Sequence, residues 1–127
     1  MRPILATTAL SVSLLVAASA IARDDGMPFG PDDVKRELVG KVWQVELPNG
    51  ASAVETFRED GTVKITGGLS DRGYWRIWEQ GYCTQWFRMR NGQERCFTVK
   101  KTADGKYEVY KPDGEISMTI LSTAPIE

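Results

Sequence analysis

The stretch YWRIWEQGYCTQWFRMRNGQERCFTVKK, residues 74–101, decides the fold class. Three runs in it alternate apolar and polar side chains, and the turn pairs Gln80-Gly81 and Asn91-Gly92 separate these runs. Alternation with a period of two residues is typical of a strand with one buried face, and Asn-Gly is a strong hairpin signal. The stretch therefore predicts strands over 74–79, 82–89 and 94–101, joined as antiparallel hairpins.

The same rhythm of alternating run and turn continues on both sides of this stretch. It predicts five further strands, at 41–47, 51–58, 62–66, 106–111 and 115–121. Eight strands joined mostly by hairpin-sized turns favour an antiparallel meander that forms a small barrel or a strongly curved sheet, because closure removes exposed strand edges. A two-sheet sandwich is the alternative.

One short helix is predicted ahead of the strands, over residues 31–40. Proline at position 31 suits the first turn, the acidic pair Asp32-Asp33 suits the positive N-terminal end, and Gly40 suits the stop. Val34 and Leu38 lie one helical turn apart, so we expect this face to pack on the sheet or to plug its end.

The hairpin turns also predict which side chains share the core face. With two-residue turns at 80–81 and 91–92, Trp75 lies opposite Trp86, and Trp86 lies opposite Phe97. Alternation along the other strands marks further positions on the same inner face. The predicted inward-facing residues are Trp75, Ile77, Thr84, Trp86, Phe97, Val99, Trp43, Val45, Leu47, Val63, Ile65, Ile116, Met118 and Ile120. We expect these residues to form the core.

The first 22 residues have the pattern of a secretory signal peptide. Arg2 is the only charge before Arg23, residues 4–17 are almost wholly apolar, and 18–22 (ASAIA) offers small residues at the cleavage positions. The apolar run is shorter than the roughly 20 residues that a membrane-spanning helix needs. We therefore expect a signal peptide at 1–22 and one exported β-rich domain, periplasmic or secreted, at 23–127 without a membrane span, with 23–30 as a flexible lead-in.

Composition narrows the classes of function. The chain has no histidine, which excludes Ser–His and Cys–His catalysis and a histidine-ligated zinc site. It has 16 Lys and Arg against 17 Asp and Glu, so bulk attraction to nucleic acid is not expected. No calcium loop, phosphate loop or nucleotide motif is present, and we expect no cofactor, no metal and no catalytic residue. A hydrolase that uses two carboxylates is the least favoured hypothesis, because the acidic residues lie mainly at turns and at the start of the helix, where they have structural roles.

Charge is segregated along the chain and suggests a binding site. Residues 24–60 contain nine acids and four bases, whereas residues 72–101 contain seven bases and two acids. The predicted register puts Arg88 opposite Arg95 on the face of Trp86, and opposed like charges cost stability unless an anion lies between them. We therefore predict an anion or carboxylate site at one barrel mouth, formed by Arg88 and Arg95 with Arg90 above Trp86. The alternative is that these arginines extend into solvent or pair with acids of 24–60.

The opposite face of the same strands carries large aromatic rings interleaved with arginine. Tyr74, Arg76, Trp78 and Phe87 are predicted to form a surface for a partner protein or a glycan, unless the helix or a second sheet layer covers them. The leading prediction is thus a non-catalytic module that binds a small anionic or amphipathic ligand. The alternative is a regulatory module that docks an envelope protein through the aromatic-basic surface.

The two cysteines, Cys83 and Cys96, form a disulfide by default in an exported chain. The predicted register opposes this pairing, because it puts the two sulfurs about 13 Å apart along the strands. Either the connection is longer than a two-residue turn, or both thiols stay free.

Motifs spread over residues 38–114 resemble those of a known group of proteins. They are Leu38-x-Gly40-Lys41-x-Trp43, Phe57-x-x-Asp60-Gly61-Thr62, Gly73-x-Trp75, Cys83-x-x-Trp86, Arg95-Cys96-Phe97-x-Val99, and Tyr107 with Asp113-Gly114. This succession resembles small exported proteins of Gram-negative bacteria that are grouped as domains of unknown function. The resemblance implies a periplasmic location and a disulfide between the two cysteines, and it implies no activity. The Gly-x-x-Trp opening and the meander also look like lipocalin-type barrels, whose signature spaces Gly and Trp by one residue.

Overall fold

The computed structural model describes residues 27–127, so the predicted signal peptide at 1–22 lies outside the described residues. The elements in chain order are β1 (Met27–Pro28), α1 (Pro31–Glu37), β2 (Lys41–Glu46), β3 (Ser52–Phe57), β4 (Thr62–Gly67), β5 (Asp71–Trp78), β6 (Gly81–Trp86), β7 (Arg95–Lys101), β8 (Tyr107–Tyr110) and β9 (Ile116–Pro125). Within residues 27–127, no helix is long and apolar enough to cross a lipid bilayer.

The eight strands β2–β9 close into an antiparallel barrel. Each strand pairs with its neighbour in the chain, and β9 pairs with β2 to complete the circle. The predicted mostly-β barrel with one short helix is confirmed. The short strand β1 adds to β7, where Met27 pairs with Lys101, so the end of the predicted lead-in lies along the barrel wall.

The helix α1 closes one end of the barrel, which we call the closed end. Asp33 accepts a hydrogen bond from the backbone N–H of Gly30 at 2.8 Å, which stabilises the first turn. Val34 and Leu38 are buried beneath the helix, and the indole N–H of Trp43 donates to the carbonyl of Leu38 at 2.9 Å. The helix therefore plugs the barrel, as its apolar face predicts.

The core runs from the closed end toward the middle of the barrel. Its centre is an aromatic cluster in which Trp43 stacks on Phe57 with ring centroids 3.9 Å apart, and Tyr82 meets both rings edge-on. Most of the predicted core positions are buried. Ile116 is 40% exposed instead, because β9 begins there, at the end of the barrel away from α1.

Two hairpin registers differ from the prediction. Trp75 pairs with Thr84 rather than with Trp86, and the turn falls at 79–80 instead of 80–81. The reason is Gly81, which is a strand residue: a Cβ on it would lie 2.0 Å from the carbonyl oxygen of Phe97, so only glycine permits this close approach. The shift is by an even number of residues, so the same side chains still face inward.

The connection between β6 and β7 is longer than a two-residue turn. Cys83 pairs with Cys96, and Arg95 pairs with Thr84. Residues 87–94, which we call the mouth loop, contain a 3₁₀ turn at Met89–Gly92. Arg88 thus lies beyond the end of β6, and its predicted position opposite Arg95 is wrong.

A disulfide joins Cys83 and Cys96 with a sulfur–sulfur distance of 2.00 Å. The two residues are directly opposed on β6 and β7, which the longer mouth loop makes possible. Of the two alternatives left by the sequence, the longer connection is the one found.

Candidate functional site

The end of the barrel opposite α1, which we call the open end, contains a cavity of about 120 Å³. Its apolar wall is formed by Leu47, Ile65, Leu69, Trp86, Met89, Phe97 and Met118. Five polar side chains line the same cavity, namely Glu55, Tyr82, Thr84, Arg90 and Ser117. An apolar cavity with a few converging polar groups is the usual form of a small-molecule site.

Glu55 is a carboxyl group on the inner face of the barrel. It lies on β3 between the buried residues Ala53 and Phe57 and is only 3% exposed. Burial raises the pKa of Glu55 to about 8, and the nearby positive charge of Arg90 offsets this only in part. Glu55 is therefore mostly neutral at pH 7, and its carboxylic acid carries a proton that it can donate.

The phenol of Tyr82 lies in the same interior. Its hydroxyl is buried and has no hydrogen-bond partner within residues 27–127. Burial, together with the proximity of Glu55, raises the pKa of Tyr82 well above its ordinary value. The hydroxyl therefore stays protonated and is a second buried donor, and it has no acceptor among the described residues.

Arg90 brings a positive charge into the open end. One of its terminal nitrogens donates to the Thr84 hydroxyl at 3.0 Å, and the guanidinium lies 5.6 Å from the centre of the Phe97 ring. The Nε atom is buried and has no partner among the described residues. Burial and the charge of Arg95 lower the pKa of Arg90, but a guanidinium remains protonated at any physiological pH.

The backbone of the mouth loop holds Arg90 in this position. Arg90 and Asn91 both adopt left-handed conformations, with φ of 55° and 54°. Asparagine tolerates this region, but it is unfavourable for arginine. Asp71 anchors the loop, since its carboxylate accepts hydrogen bonds from the backbone N–H groups of Arg88 at 3.0 Å and Met89 at 2.9 Å. Burial opposes ionisation of Asp71, but the backbone N–H groups outweigh it and lower the pKa. The loop is thus fixed at a cost in backbone strain at the residue whose side chain enters the barrel.

The structure brings together two of the four predicted ligand-binding residues and separates the others. Arg90 and Trp86 both line the cavity. Arg95 is exposed at the rim, where its charge acts on Arg90. Arg88 points away from the cavity: its side chain is 77% exposed, it donates to the carbonyl of Ser70 at 2.6 Å, and it lies 3.9 Å from Asp71.

The predicted outer surface is also divided. Tyr74 and Phe87 are 56% and 61% exposed, and their ring centroids are 5.7 Å apart. Arg76 is engaged in a two-pronged ion pair with Glu94, at 2.8 and 2.9 Å. Trp78 is half-buried.

Three residues of the open end, Glu55, Tyr82 and Asp71, were not predicted from the sequence. A signal for Glu55 was present, because in the run 51–57 (ASAVETF) it stands at the same parity as Ala53 and Phe57. Tyr82 likewise shares the parity of Thr84. No such signal marked Asp71, since it anchors the mouth loop only because that loop packs against the start of β5 in the folded barrel.

One group of potential metal ligands lies near the rim of the mouth loop. The carboxylate of Glu94 and the two sulfurs of Cys83 and Cys96 lie within 4.8 Å of one another. The sulfurs are joined in a disulfide and do not provide thiolates, so this group is not a metal centre in the oxidised protein.

Comparison of the chain with protein-family models, with curated proteins and with solved structures gave no match.

Proposed function

We propose that this protein is a non-catalytic binding module that takes a small carboxylate with an apolar tail into the open end of its barrel. One observation carries the proposal: two buried hydrogen-bond donors, the hydroxyl of Tyr82 and the Nε of Arg90, have no partner among residues 27–127 and lie in the same cavity as the protonated carboxyl of Glu55. Leaving buried donors unpaired is costly, and a bound acceptor would remove that cost.

Charge favours an anion over a neutral ligand. With Glu55 neutral, the guanidinium of Arg90 is the remaining full charge among the polar groups that line the cavity. A carboxylate would accept hydrogen bonds from the guanidinium and from the two O–H groups, and hydrogen bonds to charged groups are stronger than neutral ones. If Glu55 were ionised, it would repel the same ligand.

The shape of the cavity sets the size of the ligand. Tyr82 and Glu55 are almost fully buried, whereas Leu69 at the rim is 40% exposed, so the polar groups are deep and the apolar wall extends outward. The carboxylate would therefore enter first, with an apolar tail between Leu47 and Met118. A cavity of about 120 Å³ suits a tail of a few carbons.

The proposal also includes the location expected from the sequence. Residues 1–22 would direct export, and the disulfide between Cys83 and Cys96 supports a protein that works in an oxidising compartment such as the periplasm. The resemblance to small exported proteins of Gram-negative bacteria is consistent with this location.

The test is a calorimetric titration of the purified protein with hexanoate at pH 7, with 1-hexanol as the uncharged probe of equal length. We expect hexanoate to bind and Arg90→Gln to weaken its binding at least tenfold. Arg88→Gln is the matched control, because it removes an arginine of the same loop that lies outside the cavity. Equal binding of hexanoate and hexanol, or unchanged affinity in Arg90→Gln, would contradict the proposal.

A further inference from the structure

The outer wall of the barrel carries a second feature, which does not depend on the cavity. A groove lies across β4 and β5, and we call it the basic-aromatic groove; its charged and aromatic residues are Arg58, Lys64, Arg72, Tyr74 and Phe87. A neighbouring depression shares Lys64, Arg72 and Phe87 and extends the groove to Arg88.

Two like charges face each other in this groove. Lys64 on β4 pairs directly with Arg72 on β5, and both side chains are exposed on the outer face. Opposed like charges in a cross-strand pair are destabilising. Within residues 27–127, no carboxylate lies within ion-pair distance of Lys64, Arg72 or Arg58. The arrangement is therefore electrostatically complementary to an anionic group above the pair.

Two aromatic rings border these charges. Tyr74 and Phe87 are each more than half exposed, at 56% and 61%, although large rings are normally buried. The backbone N–H of Phe87 donates to the carbonyl of Arg72 at 2.9 Å, which holds this ring beside the cationic pair. Rings and charges thus form one continuous surface.

The closed barrel limits what can bind here. Both edges of β4 and of β5 are already hydrogen-bonded to neighbouring strands, so an extended peptide cannot add to the sheet. Recognition must come from ring faces and cationic side chains alone. Sugar rings present C–H groups that pack on the negative faces of aromatic rings, and acidic sugars carry their anionic group on the ring itself.

We propose that the basic-aromatic groove binds an anionic saccharide, with a sugar ring against Tyr74 and Phe87 and its acidic group between Lys64 and Arg72. The proposal concerns a surface distinct from the cavity at the open end. The sequence predicts a glycan surface that includes Tyr74 and Phe87. In the groove proposed here, Lys64 and Arg72 lie beside these two rings instead of Arg76 and Trp78.

The probe is a galacturonate oligosaccharide of about eight residues, compared with a neutral malto-oligosaccharide of equal length and an oligoglutamate of equal charge. Binding is measured by calorimetry on the purified protein. We expect the galacturonate to bind, and both comparison probes to bind at least tenfold more weakly. The affinity should fall as salt is raised, because ion contacts contribute.

Three variants test the residues. Lys64→Gln combined with Arg72→Gln, and separately Phe87→Ala, should each weaken galacturonate binding at least fivefold. Arg76→Gln is the matched control, since that arginine is exposed on the same strand but already paired with Glu94. The variants lie on the surface, and their circular dichroism and melting curves should match those of the wild type.

Three outcomes would overturn the proposal that the groove binds an anionic saccharide. Equal affinity for oligoglutamate would show that the groove recognises charge alone and would overturn the saccharide assignment. An unchanged affinity in Phe87→Ala, or no binding of galacturonate at low salt, would also overturn it. Loss of hexanoate binding does not bear on this result, because the two sites use different residues.

Discussion

The two ends of this barrel are built from the same strands but differ in whether their buried polar groups are hydrogen-bonded. At the closed end, the indole of Trp43 donates to Leu38, and Glu37 accepts from the hydroxyl of Tyr107 at 2.7 Å. At the open end, the hydroxyl of Tyr82 and the Nε of Arg90 are buried without a partner among the described residues. Buried polar groups are normally paired, so the closed end follows the rule for stability and the open end departs from it.

The backbone shows the same contrast. Around α1, the left-handed position is Gly40, with φ of 74°, which a glycine adopts without strain. In the mouth loop, Arg90 takes such a conformation although it has a side chain. The concentration of strain and unpaired donors at one end supports the proposal that this end binds a ligand.

The largest effect should come from a core substitution at the closed end. Trp43→Ala should lower the free energy of unfolding by about 4 kcal/mol, because it removes a fully buried indole and leaves a cavity. Trp86→Ala is the matched substitution at the open end and should cost less, because Trp86 already borders a cavity. Urea unfolding of both variants measures the difference. An equal or larger loss of unfolding free energy for Trp86→Ala would contradict the view that the closed end is the more tightly packed end.

The disulfide joins strands β6 and β7 on either side of the mouth loop and should have the next largest effect. Replacement of Cys83 and Cys96 by alanine should lower the free energy of unfolding by about 3 kcal/mol, as expected for closure of a loop of this length. Unfolding of the double variant, beside reduced wild-type protein as a control, measures this cost. A loss below about 1 kcal/mol would show that the mouth loop is held by Asp71 without the disulfide.

Glu55 should make stability depend on pH. Its pKa rises from 4.5 to about 8 on folding, so the folded state binds the proton more tightly. The stability that this proton confers is complete below pH 4.5 and is lost as the pH rises toward 8, at up to about 1.4 kcal/mol per pH unit. Between pH 6.0 and 7.5, the wild type should therefore lose about 2 kcal/mol relative to Glu55→Gln.

The comparison with Glu55→Gln isolates this group, since all other titrating residues are common to both proteins. Urea unfolding at several pH values supplies the data. Parallel stability curves for the two proteins would mean that Glu55 is ionised in the folded state, and the charge argument for an anionic ligand would fail.

The smallest effect should be a gain of stability on substitution of Arg90, the residue proposed to bind the ligand. Arg90→Gly should raise the free energy of unfolding by about 1 kcal/mol, because glycine accepts the left-handed conformation and the half-buried guanidinium with its unpaired Nε is removed. The same variant should lose hexanoate binding. Thermal unfolding and calorimetry measure the two effects, and a large loss of stability would instead make Arg90 a structural residue.

The sequence predicted the fold well and the site only in part. Turn residues at regular intervals and alternation along each strand were sufficient for eight strands, and a register error by an even number of residues leaves the inner face unchanged. The register itself was not predictable, because Gly81 looks like a turn residue and is in fact a strand position pressed against the backbone of Phe97.

The site depends on contacts that local patterns do not contain. Arg90, Arg88 and Arg95 are equivalent by sequence, and only the path of the mouth loop sends one inward, one outward and one to the rim. That path is set by Asp71, which is distant in sequence from the loop that it holds. Glu55, in contrast, could have been placed inside the barrel from parity alone.

The most direct test of the account is the titration of Glu55 itself, followed by the ¹³C chemical shift of its carboxyl carbon, with and without saturating hexanoate. We expect a midpoint near pH 8 in the free protein. Bound hexanoate should move the midpoint higher, because an anion beside Glu55 disfavours its ionisation. A midpoint near the ordinary value for glutamate, or one that hexanoate leaves unchanged, would contradict the assignment of the open end as a carboxylate site.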